Sequence, residues 1–130
     1  MVPVKMVMSK KILKVRRGTK VKKVAEMMRD KRVGSILVSD GNNSYAGIVT
    51  DADVVRRLVA DGLDPETTPV EKVMTTPLLA IEADRSVVDA NDIMDQEHIR
   101  HLGVIENGKI IGVLSVRDLL RHVYGGWGFV

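Results

Sequence analysis

Apolar and polar positions along this chain follow two rhythms, and the same succession of rhythms occurs twice. Val21, Val24, Ala25 and Met28 recur at i, i+3, i+4 and i+7, a spacing that predicts a helix with one buried face and Lys22, Lys23, Glu26 and Arg29 mostly outside it. Ahead of it, Ile12-Leu13-Lys14-Val15 is strand-like and Gly18-Thr19 breaks the strand, while Val2 to Val7 forms a short leading helix or an extended arm. Beyond the helix, Ser35-Ile36-Leu37-Val38 predicts a buried strand. Asp40-Gly41-Asn42-Asn43 has the composition of a turn, and Tyr45 to Val49 returns as the antiparallel partner.

The second half repeats this order. Thr68-Pro69-Val70-Glu71 places threonine, proline and glutamate as N-cap, first helical residue and third, predicting a short helix. Leu78 to Ile81 supplies a strand, and Ser86 caps a helix that turns Val87, Ala90 and Met94 inward. Leu102-Gly103-Val104-Ile105 is the next strand, and Asn107-Gly108 predicts a tight hairpin returning through Ile110-Ile111.

Each half closes on one motif, Gly47-Ile48-Val49-Thr50-Asp51-Ala52-Asp53 and Gly112-Val113-Leu114-Ser115-Val116-Arg117-Asp118, followed by an amphipathic run from Val54 or Leu119. Strand, capped turn and helix are implied both times. Pro3 falls on Pro69, Val21 on Val87 and Val38 on Val104 at an offset of 66, which drops to 65 at Gly47 and Gly112, so one residue is gained or lost at the hairpin turn. The expected fold class is α/β (α+β): two β-α-β-β-α repeats, residues 1–66 and 67–124, with a glycine-rich tail 125–130 that carries Trp127 and Phe129. A half of this size leaves an apolar sheet face uncovered, so the two are expected to pack as a pseudo-twofold pair through their sheets.

Composition narrows the function classes. With 130 residues, 45% of them hydrophobic, and no apolar run near the roughly 20 residues of a membrane span, a small soluble, cytoplasmic protein is expected. Zero cysteines exclude disulfides and thiolate metal sites. Charge is uneven: fourteen basic against eight acidic residues precede Thr67, and six against nine follow from it onward. A basic first third can attract nucleic acid or phosphorylated molecules, but the same residues also suit a solvated face, and 3% aromatic content argues against a stacking platform for single strands. His98 and His101 lie three apart with no evident third ligand, so no metal is expected. There is no P-loop and no Ser-His-Asp order with supporting context, and no enzymatic turnover is expected.

The Val-Met starts (Val7-Met8 and Val73-Met74), the Val87, Ala90, Met94 helix, the Leu102-Gly103-Val104 strand after a basic pair, and the doubled Gly-x-x-Thr/Ser-x-x-Asp ending resemble tandem cystathionine β-synthase (CBS) domains, the pair called a Bateman module. The resemblance spans about Val2 to Tyr124. The chain departs from the family pattern at Lys11, where the second copy has Pro77, at Leu37 and Gly103, where proline is common, and at Gly34-Ser35, which replaces the basic pair Arg100-His101.

This resemblance implies a regulatory sensor that binds AMP, ADP, ATP or an S-adenosylmethionine-like ligand in the clefts between the repeats, and it implies a homodimer. Carried onto this sequence, Asp53 and Asp118 accept ribose hydroxyls, while Thr50 and Ser115 contact ribose or the first phosphate. Arg100 and His101 face phosphates, in the cleft whose ribose carboxylate is Asp53, and Ile12, Ile36, Leu78 and Ile111 flank the base. Two other readings stand beside this one. Thr50-x-x-Asp53 and Ser115-x-x-Asp118 also suit a helix capping box, against which the short reach of aspartate counts. An oligomerisation module without a ligand would equally use the opposite charges of the halves and the Trp127 tail.

Overall fold

The alternating and helical periodicities build two three-stranded sheets, each flanked by helices, in a computed structural model that describes residues 1–124. Trp127 and Phe129 lie outside the described residues. The first sheet has the order β1 (Lys14–Arg16), β2 (Ser35–Gly41), β3 (Ser44–Thr50), and α1 (Val21–Lys31) connects the parallel pair β1 and β2. The second sheet, β4 (Ala80–Glu82), β5 (His101–Glu106), β6 (Lys109–Ser115), repeats this with α3 (Val87–Glu97) as the crossover. A helix follows each final strand: α2 (Asp51–Asp53), continued by a widened π-type stretch Val54–Val59, and α4 (Val116–Tyr124).

Sequence repeats and compact units are not the same partition of the chain. One unit consists of Met1–Ile12 together with the segment from Leu79 onward, and the other is Leu13–Leu78. The reason is visible in the buried residues. Val4, on a 3-10 turn (Val4–Met6), is fully buried among Ile81, Ala90, Met94, Leu102 and Leu114, so the leading segment completes the core under the second sheet. Its counterpart Val70, on the turn Val70–Lys72, is fully buried with Val21, Val24, Ile36, Val38 and Val49, completing the core under the first. The backbone hydrogen bonds match: Val4 N–H donates to Arg85 and Val87 N–H to Val2, while Val70 N–H donates to Thr19 and Val21 N–H to Thr68.

Several elements differ from their sequence-based expectation. The Thr68-Pro69-Val70-Glu71 stretch is no capped helix but a single 3-10 turn with Pro69 at the cap position and no side-chain cap. Glu71 instead accepts the N–H of Gly18 at 2.7 Å, because the turn is pinned across α1's leading loop and cannot propagate. Asp40 and Gly41 belong to β2, and the two-residue turn is Asn42-Asn43, both at positive φ like Asn107 and Gly108 in the other hairpin. Both hairpins carry one register shift after Val38 or Val104, and β2 alone carries a second between Ser39 and Gly41. That second irregularity absorbs the residue by which the offset changes. Finally, the run after Asp53 is helical as expected but widened, with Ala60 N–H donating to Val55. Leu58 is buried there, whereas its counterpart Val123 on the regular α4 is exposed.

Candidate functional site

Each sheet ends in a corner where the last strand turns into a helix, and the paired motifs form these corners. Thr50 has extended backbone (φ −116°, ψ 165°), and its hydroxyl accepts the N–H of Asp53 at 3.2 Å while Asp53 Oδ2 accepts the N–H of Thr50 at 3.0 Å. Ser115 and Asp118 make the same two bonds at 3.1 and 2.9 Å. Both motifs are therefore reciprocal capping boxes, which corrects the expectation that aspartate is too short for that role. The extended N-cap tips its own N–H toward the third helical residue, and a short carboxylate then suffices. Capping employs only one carboxylate oxygen in each case, and the other is left for a further donor.

What meets that other oxygen differs. In the Leu13–Leu78 unit, the segment after the 3-10 turn runs antiparallel to the edge of β3, with Ile48 N–H donating to Thr75 O at 2.9 Å and Thr75 N–H to Ile48 O at 2.7 Å. This holds Thr75 over the corner, where its hydroxyl lies 3.0 and 3.1 Å from the two oxygens of Asp53. Arg57, one turn further along the helix, approaches Oδ1 at 3.9 Å and donates to the Met74 carbonyl at 2.8 Å. Asp53 is only 7% exposed.

The other unit has the same strap in different chemistry. Ser9 pairs with Val113 through two backbone bonds of 2.9 and 3.0 Å, as Thr75 pairs with Ile48. Yet the Ser9 hydroxyl accepts the N–H of Lys11 at 3.3 Å instead of reaching the carboxylate. At the place of Arg57 stands His122. Asp118 is half-buried, and among the described residues the one hydrogen-bond donor to its carboxylate is the Ser115 N–H. Thr75 and Arg57 were not foreseen as site residues. The offset of 66 that aligns Thr75 with Ser9, and the i, i+4 spacing of Asp53 and Arg57, were available to find them.

The remaining expected site residues fall in different environments. His101 opens β5 directly opposite Ser115 in the antiparallel register, so their side chains share one face of the sheet. Arg100 is exposed just before it, its carbonyl accepting the N–H of Val116. Both belong to the unit that contains Asp118. Nearby, Asn91, Asp95, His98, Arg100 and Val116 line a hollow of about 270 Å³ at the C-terminal end of α3. Ile111, the extra residue at the β6 irregularity, and Ile12 are half-buried, as is Leu78 in the other unit. Ile36 is different: at 1% exposure, packed under α1, it is a core residue and not a base-pocket wall, because its strand position faces the helix layer. Three cations of the basic first third are paired locally, Arg17 with Asp40, Lys22 with Glu66 and Arg29 with Asp30, each held more firmly protonated by its hydrogen-bonded carboxylate. Among the described residues no helix is long and apolar enough to cross a membrane and no three His, Cys, Asp or Glu side chains converge as a metal site.

Comparison with known proteins gives a consistent result. The sequence matches the CBS domain family twice, over residues 4–60 and 70–125. A CBS domain-containing protein of Arabidopsis thaliana, CBSCBSPB2, is 38% identical over 110 residues, 85% of this chain, which spans only 20% of that relative's length. Among solved structures, a Burkholderia ambifaria protein described as a signal-transduction protein with CBS domains superposes with a TM-score of 0.92 at 30% identity, covering 99% of this chain and 98% of the other. A hexameric CBS-CP12 protein from bloom-forming cyanobacteria gives 0.85 at 26% identity over 92% of this chain and 70% of its own.

Proposed function

The chain belongs to the CBS-domain family, as a tandem pair of such domains, and from this premise we propose that it is a non-catalytic regulatory module that binds an adenine nucleotide, AMP, ADP or ATP, or an S-adenosylmethionine-like ligand. The observation that carries the proposal is the half-buried carboxylate of Asp118, fixed by its capping bond to Ser115 with one oxygen left open. A carboxylate only accepts hydrogen bonds, and the vicinal diol of a ribose supplies two donors side by side. Ser115, at the head of α4, contacts the ribose or first phosphate, where the helix N-terminus favours negative charge. Arg100 and His101, in the same unit, supply donors to the phosphates, and Ile12 and Ile111 of that unit are the apolar residues offered to the base. In this reading the fold senses a ligand through stability: a molecule bound only by the folded chain stabilises it by about 2.7 kcal/mol at a hundredfold excess over Kd.

We also propose that the module works as a homodimer. Val55 and Val59 in one unit and Leu120 and Val123 in the other are large apolar side chains left 52–68% exposed on the helices that follow the corners, a pattern suited to burial against a second copy.

Thermal unfolding with AMP, ADP, ATP and S-adenosylmethionine, each added separately, tests the ligand proposal. At least one is expected to raise Tm, and Asp118→Ala to abolish that shift. No shift with any of the four, and no heat in calorimetry, overturns it. Tighter binding to DNA or RNA that weakens steeply with salt would instead favour the basic face as the functional surface.

A further inference from the structure

We propose that Thr75 sets the stoichiometry of this module, its hydroxyl taking the place on Asp53 that a ribose hydroxyl would take, so that the Asp118 corner alone accepts an adenosyl ligand. The inference rests on the reading above, in which these carboxylates receive ribose hydroxyls.

Four observations converge on the difference. Thr75 Oγ1 lies almost equidistant from both Asp53 oxygens, 3.0 and 3.1 Å, and so occupies the carboxylate edge that a ribose hydroxyl would need. The hydroxyl is not readily displaced. Its backbone is clamped to Ile48 by two hydrogen bonds, and a β-branched side chain is stiff at χ1. Arg57 adds a cation beside the same carboxylate, offsetting the charge that a ligand donor would otherwise meet. At Asp118 each part of this lock is exchanged for a weaker one: serine for threonine, its hydroxyl turned to Lys11, and histidine for arginine. The backbone strap is conserved between the two units while the side chains that would close it over the carboxylate are not, so one corner is filled by the chain itself and its twin is left for a ligand.

Calorimetric titration of the full chain with AMP, ADP, ATP and S-adenosylmethionine in turn reads this directly. Whichever ligand binds is expected to do so at one equivalent per chain. Asp118→Asn removes the heat, whereas Asp53→Asn keeps one equivalent with affinity changed by less than about threefold. Thr75→Ala, which deletes the donor and empties the place it fills, is expected to add a second equivalent. Because Thr75→Ala leaves a buried carboxylate short of a partner and can fail to fold, the reverse exchange is decisive as well. Ser9→Thr combined with His122→Arg builds the lock over Asp118 and is expected to weaken binding at least about tenfold. Two equivalents in the unaltered chain, loss of the site on Asp53→Asn, or an unchanged affinity in Ser9→Thr/His122→Arg overturns the inference while leaving the ligand proposal standing. No heat with any of the four ligands removes both.

Discussion

Thr75 and Ser9 occupy equivalent straps, each paired by two backbone hydrogen bonds to the edge of a sheet beside a glycine present in both units, and they do different things with their hydroxyls. The comparison separates what the fold requires from what a site requires. The fold requires the backbone pairing and the absence of a side chain at Gly47 and Gly112, and both units supply these. The hydroxyl's target, the residue one turn beyond the aspartate and the exposure of the carboxylate are free to differ, and they do.

The largest effects are expected where the shared part is broken. A Cβ on Gly47 would collide with the carbonyl oxygen of Thr75, and one on Gly112 would lie 2.7 Å from the carbonyl oxygen of Ser9 and 2.5 Å from the Met8 sulfur. Gly47→Ala and Gly112→Ala should each cost about 1–3 kcal/mol in a urea titration. Gly47→Ala should cost more, because part of the obstruction at Gly112 is a flexible thioether and because moving the Thr75 strap also strips Asp53 of its partner. Equal losses would show that the lock over Asp53 adds nothing to the strap.

The next effect isolates the side chains. Thr75→Val leaves the carboxylate of Asp53, 7% exposed, without its hydroxyl donor, and should cost about 1–2 kcal/mol. Ser9→Ala removes an exposed hydroxyl bonded only to a neighbouring N–H and should stay within about 0.5 kcal/mol. If the two substitutions cost the same, the asymmetry between the corners is not energetic and the single-site inference loses its basis.

A smaller contrast lies at the crossover helices. Ser86 caps α3 by accepting the N–H of Asp89 at 3.1 Å, and Ser86→Ala should cost about 1 kcal/mol. Lys20 stands at the same place on α1 and makes no side-chain cap. The first turn of α1 is satisfied instead by the carbonyls of Pro65 and Thr68, which accept from Lys22 and Val21. Lys20→Ala should therefore change stability by less than about 0.5 kcal/mol, and a larger loss would mean that the Lys20 ammonium, 3.4 Å from the Thr67 carbonyl, carries more of that connection than its exposure suggests.

These contrasts also mark what the sequence could convey. Element type and order were legible because the periods of Val21–Val24–Met28 and of the β2 and β5 runs are strong, and Asn107-Gly108 left little choice of turn. The doubled corner was legible because a motif copied at one offset stands out without any knowledge of its surroundings. The exchange of leading segments was not. Val4 and Val70 look alike in sequence, and nothing local says which core each completes; that is decided by which sheet has an unfilled space beside it. Ile36 was misread for the same reason, since an isoleucine on a strand looks the same whether its face meets a helix or a ligand. The 3-10 turn at Val70 was hidden because its capping residues were judged by type, while the partner of Glu71 lies 53 residues away at Gly18.

That last contact supplies the smallest prediction. The carboxyl of Glu71 is held below the ordinary glutamate range chiefly by the Gly18 N–H, then by its own backbone N–H, with Arg17 and Lys20 nearby. A carboxylate whose folded pKa is depressed contributes stability that is fully present above its unfolded value, about 4.3, and is lost as pH falls through the folded value. Urea midpoints measured downward from about pH 5 should fall with acidification in that window, and Glu71→Gln should flatten part of the fall while costing less than about 1 kcal/mol at pH 7, since the contact is solvent-accessible. In the other unit the equivalent residue is Lys5, 3.8 Å from Glu106 with both side chains more than two-fifths exposed. Lys5→Gln removes no depressed carboxylate and should leave the acid limb in place. An unaltered limb in Glu71→Gln, or a flattened one in Lys5→Gln, would show that the two turns are held by something other than the groups that distinguish them.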